Sequence, residues 1–275
     1  MKKKLLSILA LGAILFTSCG TKEGKQETNN SAMQKKVDEF AMVQLTTDVN
    51  KLNDKEKQLI NIFFDIAEIM DELFWLQSYG DKADMEKIQD PATRDFALIN
   101  YGPWERLDGM RPFVSGYGEK PLGANFYPKD MTKEEYEALE DENKGSLYTV
   151  IRRDKDGKLQ VKWYREEYKK QIDKVCALLD KAIPLAEDAG LKKYLEERKK
   201  AFQTDDYFAS DMAWMDMKSS HLDFVVGPIE NYEDRLFGAK AAYEAFILVK
   251  ERRKCKTCKI YCNASSTSKR ITLRS

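Results

Sequence analysis

The spacing of apolar residues changes along the chain from that of helices to that of strands, and this order restricts the possible fold classes. After Asn53 the apolar side chains fall three and four residues apart, as on the buried face of a helix: Leu59, Ile62, Phe63, Ile66, Met70, Leu73 and Phe74. Asn53 and Glu56 have the spacing of a capping box, so a helix is predicted to begin here. Further helices are predicted over residues 168–183, ending near Pro184, and from Leu191 to residue 202, after the helix breaker Gly190.

Two pairs of strands are predicted in the second half of the chain. Residues 147–152 and 158–164 are rich in β-branched and aromatic residues and flank the turn sequence DKDG at 154–157, which is typical of a hairpin. Residues 222–232 and 243–249 form two further apolar segments. Helices followed by strand pairs, without strict alternation of the two, indicate an α+β fold.

Residues 90–130 differ from the segments on either side. They contain five of the seven prolines and five glycines among many aromatic residues. So many aromatic side chains are unsuited to a solvated linker, and we therefore expect ordered irregular structure. Thr132 and Glu135 form a second capping box, from which a short helix to about residue 143 is predicted.

The formal net charge is zero, but it is unevenly distributed. The last 26 residues contain nine Lys or Arg and one Glu, and three Lys stand near the start, so residues 19–249 carry a net charge of −11. With 43% hydrophobic residues, the composition excludes a disordered tail, a disulfide scaffold and a multipass membrane protein. We expect no nucleic-acid partner.

The N-terminus has the pattern of an export signal. Lys2, Lys3 and Lys4 precede an apolar run over residues 5–16, which is too short to cross a bilayer. The run ends at Cys19 in a sequence that resembles a bacterial lipoprotein lipobox, although Phe16 stands where such boxes usually have Leu. We therefore predict a signal peptide over residues 1–19, lipidation of Cys19 in the cell envelope, and a flexible tether over residues 20–36. The alternative is an ordinary signal peptide with a coincidental cysteine.

Few residues could hold a metal ion or act as a nucleophile. His221 is the only histidine and is expected to be a surface or capping side chain. Cys255, Cys258 and Cys262 offer three thiols without a nearby fourth ligand, so they do not complete a tetrahedral site unless another chain shares it. Cys176 lies on the apolar side of its helix and is expected to be buried. We therefore assign no metal or catalytic residue.

Three segments resemble one family of enzymes. They are VVGPIENYEDRLFG at residues 225–238, NYGPWERLDG at 100–109 and GANFYP at 123–128, and the hairpin at 147–163 fits the same comparison. They resemble the bacterial members of the dipeptidyl peptidase III family, zinc exopeptidases that release dipeptides from peptide N-termini. The resemblance covers about residues 37–249 and implies the helices and β-hairpins of a substrate-binding lobe, incomplete relative to the two-lobed fold of the family.

The resemblance also implies a binding site for peptides with a free N-terminus. Glu230 and Tyr232 match the Glu-x-Tyr of the family, which holds the substrate ammonium. A carboxylate facing an ammonium makes a charge-assisted hydrogen bond, to which a phenol adds an orienting group. Two residues apart on a strand, both side chains are expected on one face. From the residues alone, the favoured interpretation is that Glu230 is one exposed acid among many and Tyr232 a core aromatic.

The sequence lacks what catalysis in that family requires. Zinc is held there by a His-Glu-x-x-Gly-His helix and a further glutamate, whereas this chain has one histidine. The resemblance ceases near Lys250, where the composition also changes, so residues 250–275 are predicted to be out-of-frame translation. The alternative is a basic tail that binds an anionic surface.

Two functions follow from these observations. The first is the N-terminal part of a zinc-dependent dipeptidyl peptidase, without cofactor or activity of its own. The second is a non-catalytic surface lipoprotein that binds peptide N-termini through Glu230 and Tyr232 and is attached to the membrane by its lipid anchor.

Overall fold

The computed structural model describes residues 26–41 and 43–250. Cys19, the signal peptide and the tail beyond Lys250 lie outside the described residues. Eight helices and six strands follow one another within the described ranges. The helices are α1 (Gln26–Asp38), α2 (Asp54–Ser78), α3 (Pro91–Ile99), α4 (Lys133–Ala138), α5 (Tyr164–Glu167), α6 (Lys169–Ala182), α7 (Ala189–Thr204) and α8 (Phe208–Asp216). The strands are β1 (Trp104–Glu105), β2 (Arg111–Pro112), β3 (Thr149–Arg153), β4 (Leu159–Trp163), β5 (Leu222–Glu230) and β6 (Ala242–Val249).

Helix α2 forms the centre of the hydrophobic core, as its apolar spacing predicts. The Asn53 side chain accepts from the Glu56 N–H, and the Glu56 side chain accepts from the Asn53 N–H, so the predicted capping box is present. Phe63, Ile66 and Leu73 are fully buried along one face of the helix. A long apolar stripe with a satisfied N-terminus therefore fixes both the extent of α2 and the face that it buries.

The strands form three separate antiparallel pairs. Strands β3 and β4 make the predicted hairpin, with Ile151 opposite Val161. Strands β5 and β6 make a longer two-stranded ribbon, with Val225 opposite Phe246. Helices and antiparallel strands segregated in this way confirm the α+β class.

Helix α2 holds the ribbon at two points. Near its start, the Glu56 Oε1 lies 3.0 Å from Nδ1 of His221, the residue before β5. Near its end, the buried Gln77 side chain accepts from the Tyr243 N–H at 2.8 Å. Between these points the Phe63 ring stacks on Phe224 with centroids 4.1 Å apart. The inner face of the ribbon is therefore packed against one helix along most of its length.

Aromatic side chains from α5, α6 and α7 surround Tyr243 of β6. The Tyr164, Tyr168 and Phe202 rings all lie within ring-contact distance of it. The Tyr164 hydroxyl donates to the Ala241 carbonyl at 2.8 Å, next to the start of β6. The first residues of β6 are thereby fixed to the helices, at the end of the ribbon where the loop from β5 arrives and where Ala242 lies opposite Glu230.

The structure differs from the sequence-based expectations in the presence or the bounds of several helices. Residues 91–99, expected to be irregular, form α3, because Pro91 is compatible with the first turn of a helix and Asp90 caps it. Helix α8 has no predicted counterpart. Gly190 lies inside the first turn of α7, which Asp188 caps, so it does not break the helix. Helix α4 ends at Ala138, well before residue 143, and a separate 3-10 turn follows over Glu142–Gly145.

Helix α1 occupies the second part of residues 20–36, for which the composition predicts a tether. It packs on α3, and Lys36 Nζ lies 2.6 Å from the Glu105 carboxylate and 5.6 Å from the centre of the Phe96 ring. In the part of the chain that the structure describes, no helix is both long and apolar enough to cross a membrane.

Candidate functional site

The exposed end of the β5–β6 ribbon carries both predicted site residues, but only Glu230 belongs to a strand. The pairing shifts between Pro228 and Glu230, and β5 ends at Glu230. Tyr232 follows in a turn, closed by the Asp234 N–H donating to the Asn231 carbonyl at 3.2 Å. The expectation that both residues lie on one strand was wrong, because β5 ends at Glu230 and Tyr232 belongs to the turn that follows. With 58% of its surface exposed, Tyr232 is not a core residue.

The Tyr232 hydroxyl reaches across to the neighbouring strand. It donates to Glu244 Oε1 at 2.9 Å, which brings a third site residue beside the two predicted ones. Burial and, after it, the nearby Glu244 carboxylate together raise the pKa of Tyr232 to about 12. The phenol therefore remains protonated over the physiological range and acts as a donor toward the carboxylate.

Glu230 and Glu244 form a pair of carboxylates at this end of the ribbon. The pKa of Glu244 is raised, mainly by burial and in part by repulsion from Glu230 and Glu233, while the bond from Tyr232 opposes the rise. Among the described residues, no basic side chain forms a salt bridge with either Glu230 or Glu244. Two acids without a cationic partner, one of them half-buried, provide a place where a ligand ammonium would relieve repulsion.

The next residue after Tyr232 points inward instead. Glu233 is 2% exposed, and its carboxylate accepts from Arg106 Nη1 at 2.8 Å and from Arg106 Nη2 at 3.0 Å. Lys120 Nζ donates to both oxygens of the same carboxylate, at 3.1 and 3.0 Å. We call Arg106, Lys120 and Glu233 the buried triad. The two cations hold the pKa of Glu233 below its ordinary value despite the burial, which alone would raise it.

Asp234 organises the rest of the loop between β5 and β6. Its carboxylate accepts from the Tyr127 hydroxyl at 2.8 Å and from four backbone N–H groups of residues 236–240. The Arg235 N–H donates to the Leu122 carbonyl at 2.8 Å. Gly123 lies so close to Tyr127 that a Cβ there would come within 2.4 Å of its ring. The segment GANFYP, singled out by the resemblance, is thus a support for this loop.

Lys240 closes the loop in front of β6. Its side chain is fully buried, and Nζ donates to the Lys144 carbonyl at 2.6 Å, the Ser146 carbonyl at 2.9 Å and the Thr149 hydroxyl at 2.8 Å. Burial lowers the pKa of Lys240 to about 8, and attraction to Asp234 opposes this only in part. Three acceptors therefore hold a charge that has been removed from water.

The remaining candidates among the described residues do not form a metal centre, and Cys255, Cys258 and Cys262 lie outside the described residues. The His221 side chain is partly exposed and contacts the Glu56 side chain in the first turn of α2. It is therefore a surface side chain and not a cap, since Asn53 caps this helix. Within residues 26–41 and 43–250, no group of three or more His, Cys, Asp or Glu is placed to hold a metal ion. Cys176 is a free, buried thiol, as predicted, and burial raises its pKa to about 11. The residues that the structure describes do not fit a zinc ion.

Glu244 is the site residue that the sequence analysis missed. It is the only charged residue in AYEAFILV, the eight residues of β6. A single acid in an otherwise apolar strand was the available signal, since such a side chain requires a partner or a function. Its partner, Tyr232, is 12 residues away and can be found only through the pairing of the strands.

Comparison with known proteins identifies the family. The family model described as peptidase family M49 matches residues 129–270, slightly more than half of the chain. The structure of DPP III from Caldithrix abyssi is similar with a TM-score of 0.75 and 38% identity, over 81% of this chain and 44% of that chain. Dipeptidyl-peptidase III from Corallococcus sp. strain EGB gives a TM-score of 0.75 and 34% identity, with the same two shares covered.

A plant protein is similar at lower identity. Nudix hydrolase 3 of Arabidopsis thaliana is 26% identical over 302 residues, which is 86% of this chain and 38% of the plant protein. The chain thus spans less than half the length of each of these relatives. The family-model match and the two similar DPP III structures confirm the resemblance, and the chain belongs to peptidase family M49.

Proposed function

We propose that the exposed end of the β5–β6 ribbon binds the free N-terminus of a peptide, as part of the substrate-binding region of a dipeptidyl-peptidase. The observation that carries this proposal is the pairing of Glu230 with Glu244, two acids without a basic partner among the described residues, with Tyr232 donating to one of them. A peptide ammonium has three donors and a positive charge, which two carboxylates can accept together. The family membership supports a peptide as the ligand.

The geometry allows a division of roles among the three side chains. Glu244 is half-buried and oriented by the Tyr232 hydroxyl, so it would fix the position of the ammonium. Glu230 is exposed at the end of β5 and would add the second charge from the open side. Each charge-assisted hydrogen bond contributes about 1.5–3 kcal/mol, so either glutamate is expected to contribute roughly 10- to 100-fold to the affinity.

Titration calorimetry with a matched pair of peptides tests the proposal. The tetrapeptide Ala-Ala-Ala-Tyr is compared with its N-acetylated form, which lacks the ammonium. We expect the free peptide to bind more tightly, and Glu230→Gln and Glu244→Gln to weaken only the free peptide, roughly 10- to 100-fold. Glu86→Gln, the same change at another exposed acid, is the control. Equal binding of both peptides by the unchanged chain would refute the proposal.

We further propose that the 275-residue chain does not hydrolyse peptides by itself. Its single histidine supports this, because the family mechanism uses two histidine ligands. Release of dipeptide from a chromogenic dipeptidyl arylamide, dependent on zinc and abolished by a chelator, would contradict it. The reading-frame hypothesis for residues 250–275 stays a prediction, which the gene sequence beyond the stop codon decides.

We also propose that the chain is exported and anchored by lipid at Cys19. The short apolar run after three lysines, and the position of Cys19 at its end, support this. Growth with labelled palmitate should label the protein in the membrane fraction, and Cys19→Ser should remove the label. Unlabelled protein in the soluble fraction would leave only an ordinary signal peptide.

A further inference from the structure

The buried triad joins the proposed binding site to the helical part of the fold. Glu233 directly follows Tyr232, and its side chain points inward while that of Tyr232 points out. The triad side chains are largely buried, with 21% exposure for Arg106, 7% for Lys120 and 1% for Glu233. None of these groups contacts Glu230 or Glu244 through a hydrogen bond. The peptide-binding proposal therefore leaves the triad without a role.

Arg106 is itself held rigidly. Its Nε donates to the Asn100 carbonyl at 2.8 Å, and its backbone N–H donates to the Asn100 side chain at 2.8 Å. The guanidinium lies over the rings of Phe74 and Tyr101, at 5.3 and 5.4 Å from their centres. These contacts tie it to α2 and to the end of α3. A bidentate bond from so fixed a donor leaves the Glu233 carboxylate one orientation.

The buried triad contains one cation more than is needed to neutralise its carboxylate. Two cations face one carboxylate, so the buried group carries a net charge of +1. Replacing Glu233 by glutamine would place an NH₂ group, a donor, against two further donors. The turn would then have to move away from Arg106 and Lys120, and Tyr232, one residue before, would move with it. The attraction within a buried ionic group is largely offset by the cost of removing its charges from water, whereas removing one partner leaves an uncompensated buried charge.

We propose that Glu233, held by Arg106 and Lys120, is a positioning residue that sets the orientation of Tyr232 and Glu230 toward the ammonium of a bound peptide. The inference rests on the proposed function. A purely structural residue would change only the fraction of molecules that fold. The role proposed for Glu233 concerns the geometry of the turn in molecules that are already folded. The triad would then determine how well the site distinguishes a free N-terminus from a blocked one.

The ratio of two affinities tests this inference. For each variant, the dissociation constant of N-acetylated Ala-Ala-Ala-Tyr is divided by that of the free peptide. Both peptides meet the same folded fraction, so this ratio does not change when a variant merely unfolds more easily. We expect Glu233→Gln to lower the ratio at least fivefold and Lys120→Met, which retains the Arg106 pair, to lower it about twofold. Glu167→Gln, at another acid paired with an arginine, should leave it unchanged.

Each outcome decides one question. An unchanged ratio in folded Glu233→Gln would overturn the inference and leave the peptide-binding proposal intact. If near-ultraviolet circular dichroism shows that Glu233→Gln does not fold, Lys120→Met decides: a lowered ratio supports the positioning role and an unchanged ratio overturns it. A ratio of one in the unchanged chain would overturn the proposed function and this inference together.

Discussion

Asp205 allows a direct test of how burial competes with an ion pair in this fold. It ends α7 with a left-handed backbone (φ 59°), and its side chain is fully buried. The carboxylate accepts from the Arg165 backbone N–H at 3.1 Å and from Arg165 Nη1 at 3.0 Å. Burial nevertheless raises the pKa of Asp205 to about 6 from 3.8, and the contacts with Arg165 offset only part of the rise.

The sign of the effect on stability follows from proton binding. Between pH 3.8 and about 6 the unfolded chain ionises Asp205 before the folded chain does, so the unfolded state binds fewer protons and stability falls as the pH rises. One pKa unit corresponds to about 1.4 kcal/mol, so about 3 kcal/mol is lost once both states are ionised. This value is an upper bound for what Asp205→Asn can restore at neutral pH.

Asparagine suits the position because it tolerates the left-handed conformation and its carbonyl can accept from Arg165. We expect Asp205→Asn to match the unchanged chain near pH 4 and to exceed its free energy of unfolding by up to about 3 kcal/mol above pH 6. Urea unfolding followed by tryptophan fluorescence at pH 4 to 8 measures this. Asp206→Asn, at the exposed neighbour, should show no such trend. A destabilised Asp205→Asn at pH 7 would mean that the ion pair dominates, and the reasoning would be refuted.

Three further predictions concern the site and its support. The affinity for a free-amine peptide should rise with pH as Glu244, whose pKa is raised, loses its proton, and should fall again as the peptide amine deprotonates near pH 8. Calorimetry over pH 4 to 9 should show both the rise and the fall. An affinity that does not rise on the acid side would contradict the role of Glu244. Gly123→Ala should lower the free energy of unfolding by about 1–3 kcal/mol, because its Cβ would meet the Tyr127 ring. Gly145→Ala, with open space around the new Cβ, should not lower it. Equal urea midpoints for the two variants would refute this. Tyr127→Phe should cost about 1–3 kcal/mol by removing a donor from buried Asp234, and an unchanged melting temperature would show that the backbone donors suffice.

The sequence predicted those elements whose ends depend on residues that are close together in the chain. The start of α2 depends on Asn53 and Glu56, three residues apart, and the β3–β4 hairpin on its turn residues, so both could be predicted. Helix α8 could not be predicted, because its large apolar residues Phe208 and Met212 are exposed and give no buried periodicity.

The site itself could be predicted only in part. Glu230 and Tyr232 were found through the resemblance, but the pairing shift before Glu230 depends on how β6 lies against β5 and leaves no trace in residue spacing. Glu244 meets Tyr232 for the same reason. The buried triad joins residues more than a hundred positions apart, Arg106 and Lys120 with Glu233, and such contacts follow from tertiary packing alone.

The length of helix α2 sets the distance between its two hydrogen-bonding contacts with the ribbon segment. Glu56 near one end contacts His221, the residue before β5, and Gln77 near the other end contacts Tyr243 of β6; the two are 21 residues, or about 31 Å, apart along the helix axis. Inserting a single residue between them would turn one contact by about 100° relative to the other, so only one could then be kept. The number of residues between Glu56 and Gln77 is therefore constrained. Natural insertions in relatives of this chain are expected to fall outside α2.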